Sequence, residues 1–289
     1  MADWLKQIKN NGIWNFLFGG FGSTVAVFFF GKRIFGNITV VQSIFIGIVF
    51  VGLIFSVLLL YYITKELIDW FHKRYIESVW GVAIVKLKDA YAEVHRLRKR
   101  QRIDAEEFVK VMIDLCDQLK EIFDKKTGAN CSVSIKIPLQ DVDDMYKIVV
   151  RNLCRDSFHP ERDTKKYESA KHTVVDNTAY LEVVRKILNK NKTPFYINNN
   201  IKESRDYNNS SIGCYSQTGL PYQSELVYPI IPIYNDRDYK MCGFVCVDSD
   251  KPNSFDENLY DIPMMQGICD GIYDIFDKKL SSSSPLLRK

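Results

Sequence analysis

The feature that most constrains this chain is a stretch without charged residues at positions 34–64. Its strongest part, residues 40–63, is almost entirely apolar, and a helix of about 20 such residues crosses the hydrocarbon core of a bilayer. The core helix of a soluble protein would keep a polar stripe, which this stretch lacks. Tyr61 and Tyr62 lie where aromatic side chains commonly anchor a span at the membrane interface. We therefore predict that residues 40–63 cross a membrane and tether the rest of the chain to it.

A weaker uncharged stretch precedes this one at residues 13–31, between Lys9 and Lys32. We interpret it as a first transmembrane helix, and a helix lying in the interface or a re-entrant segment is the alternative. Two spans would make residues 1–64 a hairpin with both termini inside and the loop 32–39 outside. The positive-inside rule agrees, because the inside would hold Lys6, Lys9, Lys65, Lys73 and Arg74, whereas the outside would hold Lys32 and Arg33.

Charge and cysteine content argue against several classes of protein. The net charge of +4 is too small to indicate nucleic-acid binding. The seven cysteines are an odd number and include no C-x-x-C pair and no histidine at a ligand-like spacing, which argues against a disulfide scaffold and against a zinc site. Scattered thiols suit a reducing compartment. We therefore expect the part that follows the membrane span to be cytoplasmic and to hold no metal.

Residues 65–103 are charged and free of proline, which indicates a continuous helical stalk leaving the membrane. Apolar residues recur in it at alternating spacings of four and three, the heptad pattern of a coiled coil. The residues of this seam are Ile76, Trp80, Ala83, Leu87, Ala90, Val94 and Leu97. They predict a dimeric coiled coil or, as the alternative, an amphipathic helix that packs on the neighbouring domain.

Basic residues cluster at the end of the stalk, at positions 95–102. A solvated helix face is one interpretation of this cluster. Contact with anionic lipid or with a phosphate ligand is the other.

Residues 104–280 alternate between helical and strand patterns, and residues 281–289 are a predicted disordered tail. Asp104 is a predicted N-cap with Glu107 at the capping-box position, and Gly128 ends the helix that they begin. The other predicted elements are strands at 131–137 and 146–150, a helix at 176–191, a strand at 195–197, a loop at 198–223, strands at 225–233 and 241–248 joined by a turn at 235–238, and a last helix at 256–279 kinked before Pro263. This order predicts an α+β domain, with an antiparallel sheet, helices on one face and loops over the other.

Three stretches of this domain carry a family resemblance. Residues 177–184 and 193–198 give a helix followed by TPFYIN, residues 222–230 read YQSELVYPI, and residues 243–249 and 253–257 read GFVCVDS and NSFDE. In this order they resemble the motifs of GAF domains, and the resemblance covers residues 104–280. It implies a small-molecule sensor whose pocket lies between the sheet and the helix and loops that cover its outer face.

The resemblance places nine residues near that pocket, namely His172, Asp176, Asn177, Tyr180, Tyr196, Asn198, Tyr215, Tyr222 and Ser224. Their rings, amides and hydroxyl suit a small planar ligand, such as a cyclic nucleotide. The alternative for each is a structural role, with Tyr180 and Tyr196 in the core and the asparagines in a solvated loop. Cyclic-nucleotide members of the family carry Lys after the motif Asn, whereas Ser254 follows Asn253 here, which weakens that choice of ligand.

Catalysis is not expected from this sequence. Some GAF domains reduce methionine sulfoxide with cysteines, and Cys242 and Cys246 lie on one predicted strand. Four residues of strand place them on one face roughly 13 Å apart, which is too far for a disulfide. Cys214 in the long loop is the other thiol near the predicted pocket, and no sequence neighbour indicates that its pKa is lowered.

Two functions agree with this reading of the sequence. The first is a membrane-anchored sensor that binds a small molecule in the cytosol and passes the signal through the stalk to its membrane helices or to a partner. The second is a membrane-tethered scaffold that binds no ligand and dimerises or docks a protein. Both imply a lipid bilayer and a homodimer as partners and no nucleic acid, and neither assigns a cofactor.

Overall fold

The computed structural model describes residues 36, 39–141, 147–159, 162, 172–215, 219–233, 239–257 and 260–281. Contacts divide the chain into two units, residues 1–77 and 78–289. The predicted first span at 13–31, the turn at 235–238 and the tail beyond Ser281 lie outside the described residues.

The first described element is α1, a helix of 59 residues at Val40–Arg98. A capping arrangement starts it, in which Thr39 Oγ1 accepts from the Gln42 N–H at 3.4 Å and Gln42 Oε1 accepts from the Thr39 N–H at 3.1 Å. Most large apolar side chains between residues 41 and 75 are exposed. Among the described residues, α1 is the one helix long and apolar enough to cross a membrane.

Six strands follow α1 in the chain: β1 Cys131–Gln140, β2 Ile148–Arg155, β3 His172–Thr173, β4 Tyr196–Asn198, β5 Ser224–Pro229 and β6 Phe244–Ser249. They form one sheet in the order β3-β2-β1-β6-β5-β4, and every neighbouring pair is antiparallel. The register places Lys136 opposite Phe244 and Glu225 opposite Asp248. The antiparallel α+β class predicted from the sequence is confirmed.

The described part of the chain contains three further α-helices: α2 Ala105–Thr127, α3 Thr178–Leu188 and α4 Asp261–Ser281. Asp104 caps α2, because its side chain accepts from the N–H groups of the first turn at 3.0 and 3.2 Å. Gly128 ends α2 with a φ of 61°, in the left-handed region that favours glycine. Both caps are those that the sequence predicts.

Several elements differ from the sequence prediction, and the strand predicted at 146–150 is β2 at Ile148–Arg155. The predicted start of α4 at residue 256 and its kink at Pro263 are wrong, since α4 begins at Asp261 and Pro263 lies in its first turn. A proline there removes no intrahelical hydrogen bond. The strand β3 escapes prediction because two residues are too few to show an alternating pattern.

One face of the sheet, called the helical face below, is covered by α2, α4 and residues 78–98 of α1. Val133, Leu226 and Val245 from the strands lie in one apolar cluster with Leu119 of α2 and Phe276 of α4. Alternation along each strand directs every second side chain to this face. This cluster is the main core of the domain.

The predicted seam of the stalk belongs to the same cluster. Its members there are Trp80, Ala83, Leu87, Ala90, Val94 and Leu97. From Trp80 onward, the seam therefore packs against the chain's own domain, which is the alternative to a dimeric coiled coil. The packed unit accordingly begins at Ser78 and not at residue 104.

Hydrogen bonds fix this part of α1 to α4. The Tyr91 hydroxyl donates to the Gly267 carbonyl at 2.9 Å, and Arg98 Nη2 donates to the Gly271 carbonyl at 2.6 Å. Gly271 allows the close approach, because a Cβ there would overlap the Tyr91 ring. Residues 78–98 are thus an integral part of the domain.

The opposite face, called the loop face below, is covered by α3 and by the loop 199–223, which is described except for residues 216–218. Tyr180 and Val183 of α3 pack against Val227 and Phe244 of the sheet. The prediction that helices lie on one face is therefore wrong, since the apolar side of α3 is buried on the other.

Candidate functional site

The loop face carries two buried carboxylates at the centre of the sheet. Glu225 on β5 and Asp248 on β6 are opposite each other in register, and their exposed fractions are 3% and 8%. Like charges directly opposite each other destabilise a sheet. Packing alone therefore does not account for this pair.

The loop 199–223 reaches Glu225 through a network of hydrogen bonds. The Tyr207 hydroxyl donates to Glu225 Oε2 at 2.8 Å. Asn209 Nδ2 donates to the hydroxyl oxygens of Tyr207 and Tyr222, each at 2.8 Å. Asn209 and Tyr222 are buried. Tyr207 therefore contacts the strand carboxylate directly, Asn209 joins Tyr207 to Tyr222, and we call these four residues the polar network.

Two cations lie next to the polar network. Arg162 Nη1 donates to Asp248 Oδ2 at 3.2 Å, and Lys136 Nζ lies 5.6 Å from the centroid of the Tyr180 ring. Burial, together with the charge of Asp248, nevertheless raises the pKa of Glu225 to about 7, although Tyr207 and Lys136 act in the opposite direction. Glu225 therefore exchanges a proton near neutral pH.

The other half of the loop face is apolar. The ring centroids of Tyr180 and Phe244 are 4.8 Å apart, and both side chains are buried. The Tyr180 hydroxyl lies 3.9 Å from Cys246 Sγ, and burial raises the pKa of Tyr180. These side chains occupy the space between α3 and the sheet, beside the polar network.

Four of the residues that the sequence places at the pocket meet around Glu225. Tyr222 belongs to the polar network, and the hydroxyl groups of Tyr180 and Tyr196 lie within electrostatic range of Glu225. Asn198 Nδ2 donates to the Tyr196 hydroxyl at 3.3 Å. The structure thus brings three aromatic rings and an amide to one part of the loop face.

Two other residues of that set maintain local structure. Asn177 is the N-cap of α3, and its Oδ1 accepts from the Ala179 and Tyr180 N–H groups at 3.1 and 3.3 Å. The Ser224 hydroxyl, which is fully buried, lies 3.1 and 2.7 Å from the carbonyls of Asn199 and Lys251. These contacts explain both residues without a ligand.

The remaining three residues of the set are His172, Asp176 and Tyr215. His172 Nδ1 on β3 is 2.7 Å from the Ser210 hydroxyl. Asp176 is exposed and accepts from the Thr173 hydroxyl within a turn. Tyr215 is the last residue of the 3₁₀-helix Ser210–Tyr215, and its side chain lies outside the described part of the chain.

Sequence reasoning missed Glu225, Asp248, Tyr207, Asn209 and Arg162. Alternation along the strands was sufficient to find the first two, because every second residue of β5 and β6 faces the loop face. No local signal marks the other three, since the loops that carry them have no periodicity.

The cysteines near the sheet have the chemistry of buried thiols. Cys242 lies in the cluster of the helical face and Cys246 in that of the loop face, so the prediction that they share a face is wrong. The reason is that β6 begins only at Phe244, and regular alternation does not extend back to Cys242. Burial raises the pKa of each thiol to about 12, which leaves it protonated and unreactive near neutral pH.

Three of the basic residues at 95–102 are engaged within the domain. Arg96 and Arg100 form ion pairs with Glu107 of α2, and Arg98 donates to the carbonyl of α4 already described. Their structural role disfavours a phosphate ligand for these three side chains.

The loop face is suited to non-covalent binding. It offers carboxylate acceptors, phenol groups, an amide, two cations and aromatic rings, which together match the edges and faces of a planar polar molecule. Within the described ranges, no group of three metal-ligating side chains is present.

Comparison with solved structures returns GAF domains, the family that the sequence motifs resemble. The GAF domain of an Acinetobacter phosphoenolpyruvate-protein phosphotransferase matches at 13% identity and a TM-score of 0.41, over 70% of this chain and 96% of that chain. A further GAF domain matches at 12% identity and a TM-score of 0.40, over 66% of this chain and 88% of that chain. Reduced fRMsr of Staphylococcus aureus matches at 12% identity and a TM-score of 0.38, over 67% of this chain and 94% of that chain. No family model and no curated protein matches the chain.

Proposed function

We propose that this protein is a membrane-anchored sensor whose α1 helix crosses the bilayer and whose GAF-like domain binds a small molecule on its loop face in the cytosol. The polar network of Tyr207, Asn209, Tyr222 and Glu225 is the observation that carries the proposal. Burying polar and charged groups costs free energy, so a domain that needed a core alone would place apolar side chains here, as it does on the helical face. The groups present instead are those that hydrogen-bond a planar polar ligand, such as a cyclic nucleotide.

The helix α1 gives the signal a route to the membrane. Its residues 78–98 pack into the core of the domain, and the helix continues without a break from Val40 to Arg98. A ligand that binds two arrangements of the domain with different affinity shifts their populations and thereby moves α1. The output is a change in bilayer permeability or the recruitment of a partner at the membrane, and we expect the active form to be a homodimer.

The test is to look for a bound small molecule in a fragment of residues 78–281. Starting at Ser78 keeps the part of α1 that belongs to the core, which a fragment starting at residue 104 would remove. Native mass spectrometry of this fragment, alone and with a panel of cyclic mono- and dinucleotides, should show a defined added mass. An empty fragment that ignores the whole panel would remove the support for a nucleotide sensor.

A matched pair of variants locates the binding site. Tyr222→Phe removes one hydroxyl from the polar network, and the loss of one hydrogen bond should weaken binding about 2- to 10-fold. Tyr260→Phe removes the same group from a side chain that is 46% exposed outside the loop face and should leave affinity unchanged. Equal effects of the two substitutions would place the ligand elsewhere.

A second function, a membrane-tethered scaffold without a ligand, has its own supporting observation. The Tyr180 and Phe244 rings, which are in contact, already occupy the apolar half of the loop face, as expected of a domain that only dimerises or docks a protein. Sedimentation of the full-length protein in detergent, combined with the ligand screen, separates the two. A stable dimer that binds no member of the panel favours the scaffold.

A further inference from the structure

The middle of the loop 199–223 is joined to the sheet by the carboxyl group of Glu225. The Tyr207 hydroxyl donates to this carboxyl group at 2.8 Å, and Asn209 links Tyr207 to Tyr222. Other contacts hold the same loop to α3 and to β3. The Asn208 N–H donates to the Thr178 hydroxyl at 2.8 Å, and Ser210 contacts His172. Of the groups that make these contacts, the carboxyl group of Glu225 is the fully buried one.

Among the described residues, charged and titratable groups from several elements lie near Glu225. They are Asp248 and Cys246 of β6, Lys136 of β1, Tyr196 of β4, Tyr180 of α3, Tyr207 and Tyr222 of the loop, and Arg162, which pairs with Asp248. Lys136 is the cation that acts on Glu225 directly. Burial and the like charge of Asp248 both disfavour the ionised form of Glu225. Their combined effect on its pKa is larger than the opposing effect of Lys136 and Tyr207.

We propose that Glu225 is a proton-controlled latch, which holds residues 199–215 closed over the sheet when its carboxyl group is protonated and releases them when that group ionises. The latch controls access to the loop face, and its role in regulating ligand binding rests on the sensor function proposed above.

The direction of the effect follows from proton linkage. Burial and Asp248 raise the pKa of Glu225 from its ordinary value of 4.5 to about 7 in the closed state. When the loop opens, water reaches the carboxyl group and the pKa returns toward the ordinary value. The stabilisation of the closed state is therefore fully present below pH 4.5 and is lost as the pH rises through 7. Between pH 6 and pH 8 the opening equilibrium should rise about tenfold.

Hydrogen exchange of the full-length protein in detergent measures this opening. Wild type and Glu225→Gln are compared at the same pH, once at pH 6 and once at pH 8, so that the intrinsic exchange rate cancels. Peptides from residues 199–223 should show a ratio of wild-type to variant opening that rises about tenfold between the two pH values. Peptides from α2 exchange by global unfolding, which exposes Glu225 as well, so the opening counts as local only where peptides from the loop exchange faster than those from α2. An equal ratio at both pH values would overturn the latch.

His172 is the competing explanation, because histidine side chains titrate in the same pH range and this one contacts Ser210 of the loop. The variant His172→Gln should keep the full pH response of loop opening. A response that disappears in His172→Gln and persists in Glu225→Gln would assign the switch to the histidine and refute the proposal. No ligand is added, so the outcome is independent of whether the domain is a sensor.

Discussion

The two faces of the sheet bury charge in different ways. On the helical side, buried Lys120 pairs with Asp124, and buried Asp261 pairs with Lys126. On the loop face, Asp248 pairs with Arg162, whereas Glu225 accepts from a neutral hydroxyl and lies opposite the like charge of Asp248. Folding requires opposite partners for buried charges, and the helical side meets that requirement. The position of Glu225 opposite a like charge costs free energy, and stability does not explain it. This is the physical basis for placing function on the loop face.

The apolar parts of the two faces differ in extent as well. The cluster of the helical face joins α1, α2, α4 and the strands, whereas the cluster of the loop face joins α3 to a few strand residues. A residue in the larger cluster is surrounded by packed side chains that relax little when it is truncated. The same substitution should therefore have different costs on the two faces.

The largest expected effect uses one phenylalanine from each face. Phe123 on the helical face and Phe244 on the loop face are both fully buried. Phe123→Ala should lower the free energy of unfolding by about 3–5 kcal/mol, and Phe244→Ala should cost less, because the smaller cluster around Phe244 can relax more readily. Urea unfolding of the full-length protein in detergent measures both. Equal costs would show that the loop face is as tightly packed as the helical face.

A smaller effect is expected from the charge on the loop face. The pKa of Glu225 is raised to about 7, so wild-type stability should fall by roughly 2–3 kcal/mol between pH 5 and pH 8, while that of Glu225→Gln should not show this loss. The matched control is Glu121→Gln, which removes a half-exposed carboxylate paired with Lys86 on the helical side. Its pH profile should run parallel to that of wild type. Parallel profiles for all three proteins would contradict the raised pKa.

The helical face was the more predictable of the two from sequence. The apolar residues from Trp80 to Leu97 have a helical spacing, and α2 has caps at Asp104 and Gly128. Both kinds of signal come from residues that are close together in the sequence. Whether the α1 seam would meet a second copy or its own domain could not be read from that spacing, since both partners present the same apolar surface.

The candidate site was less predictable because it depends on long-range pairing. The contact of Tyr207 with Glu225 joins a loop without periodicity to a strand, and the opposition of Glu225 and Asp248 follows from the register of β5 and β6. Register is set by the whole sheet. Motif resemblance included Tyr222, which lies in the polar network, and also Asn177, whose amide caps a helix.

A third prediction concerns the contact of α1 with α4 on the helical side. Gly271→Ala places a methyl group against the Tyr91 ring, and overpacking of this kind typically costs 1–3 kcal/mol. Gly267→Ala, one turn earlier in α4, meets open space and should stabilise the helix by up to about 1 kcal/mol. Thermal unfolding of the two variants should shift in opposite directions. A shared direction would mean that residues 78–98 do not pack on α4 as the structure shows.

The smallest expected effect tests where the structural part of the loop face ends and its binding part begins. Asn177 is buried and caps α3 through two N–H groups, so Asn177→Ala should lower stability by about 1 kcal/mol. Asn177→Asp keeps an accepting oxygen and should retain most of that stability. If the residue only caps, the aspartate variant should also bind any ligand of the domain with wild-type affinity. If the aspartate variant instead loses affinity while its stability stays at the wild-type level, Asn177 contributes to ligand binding.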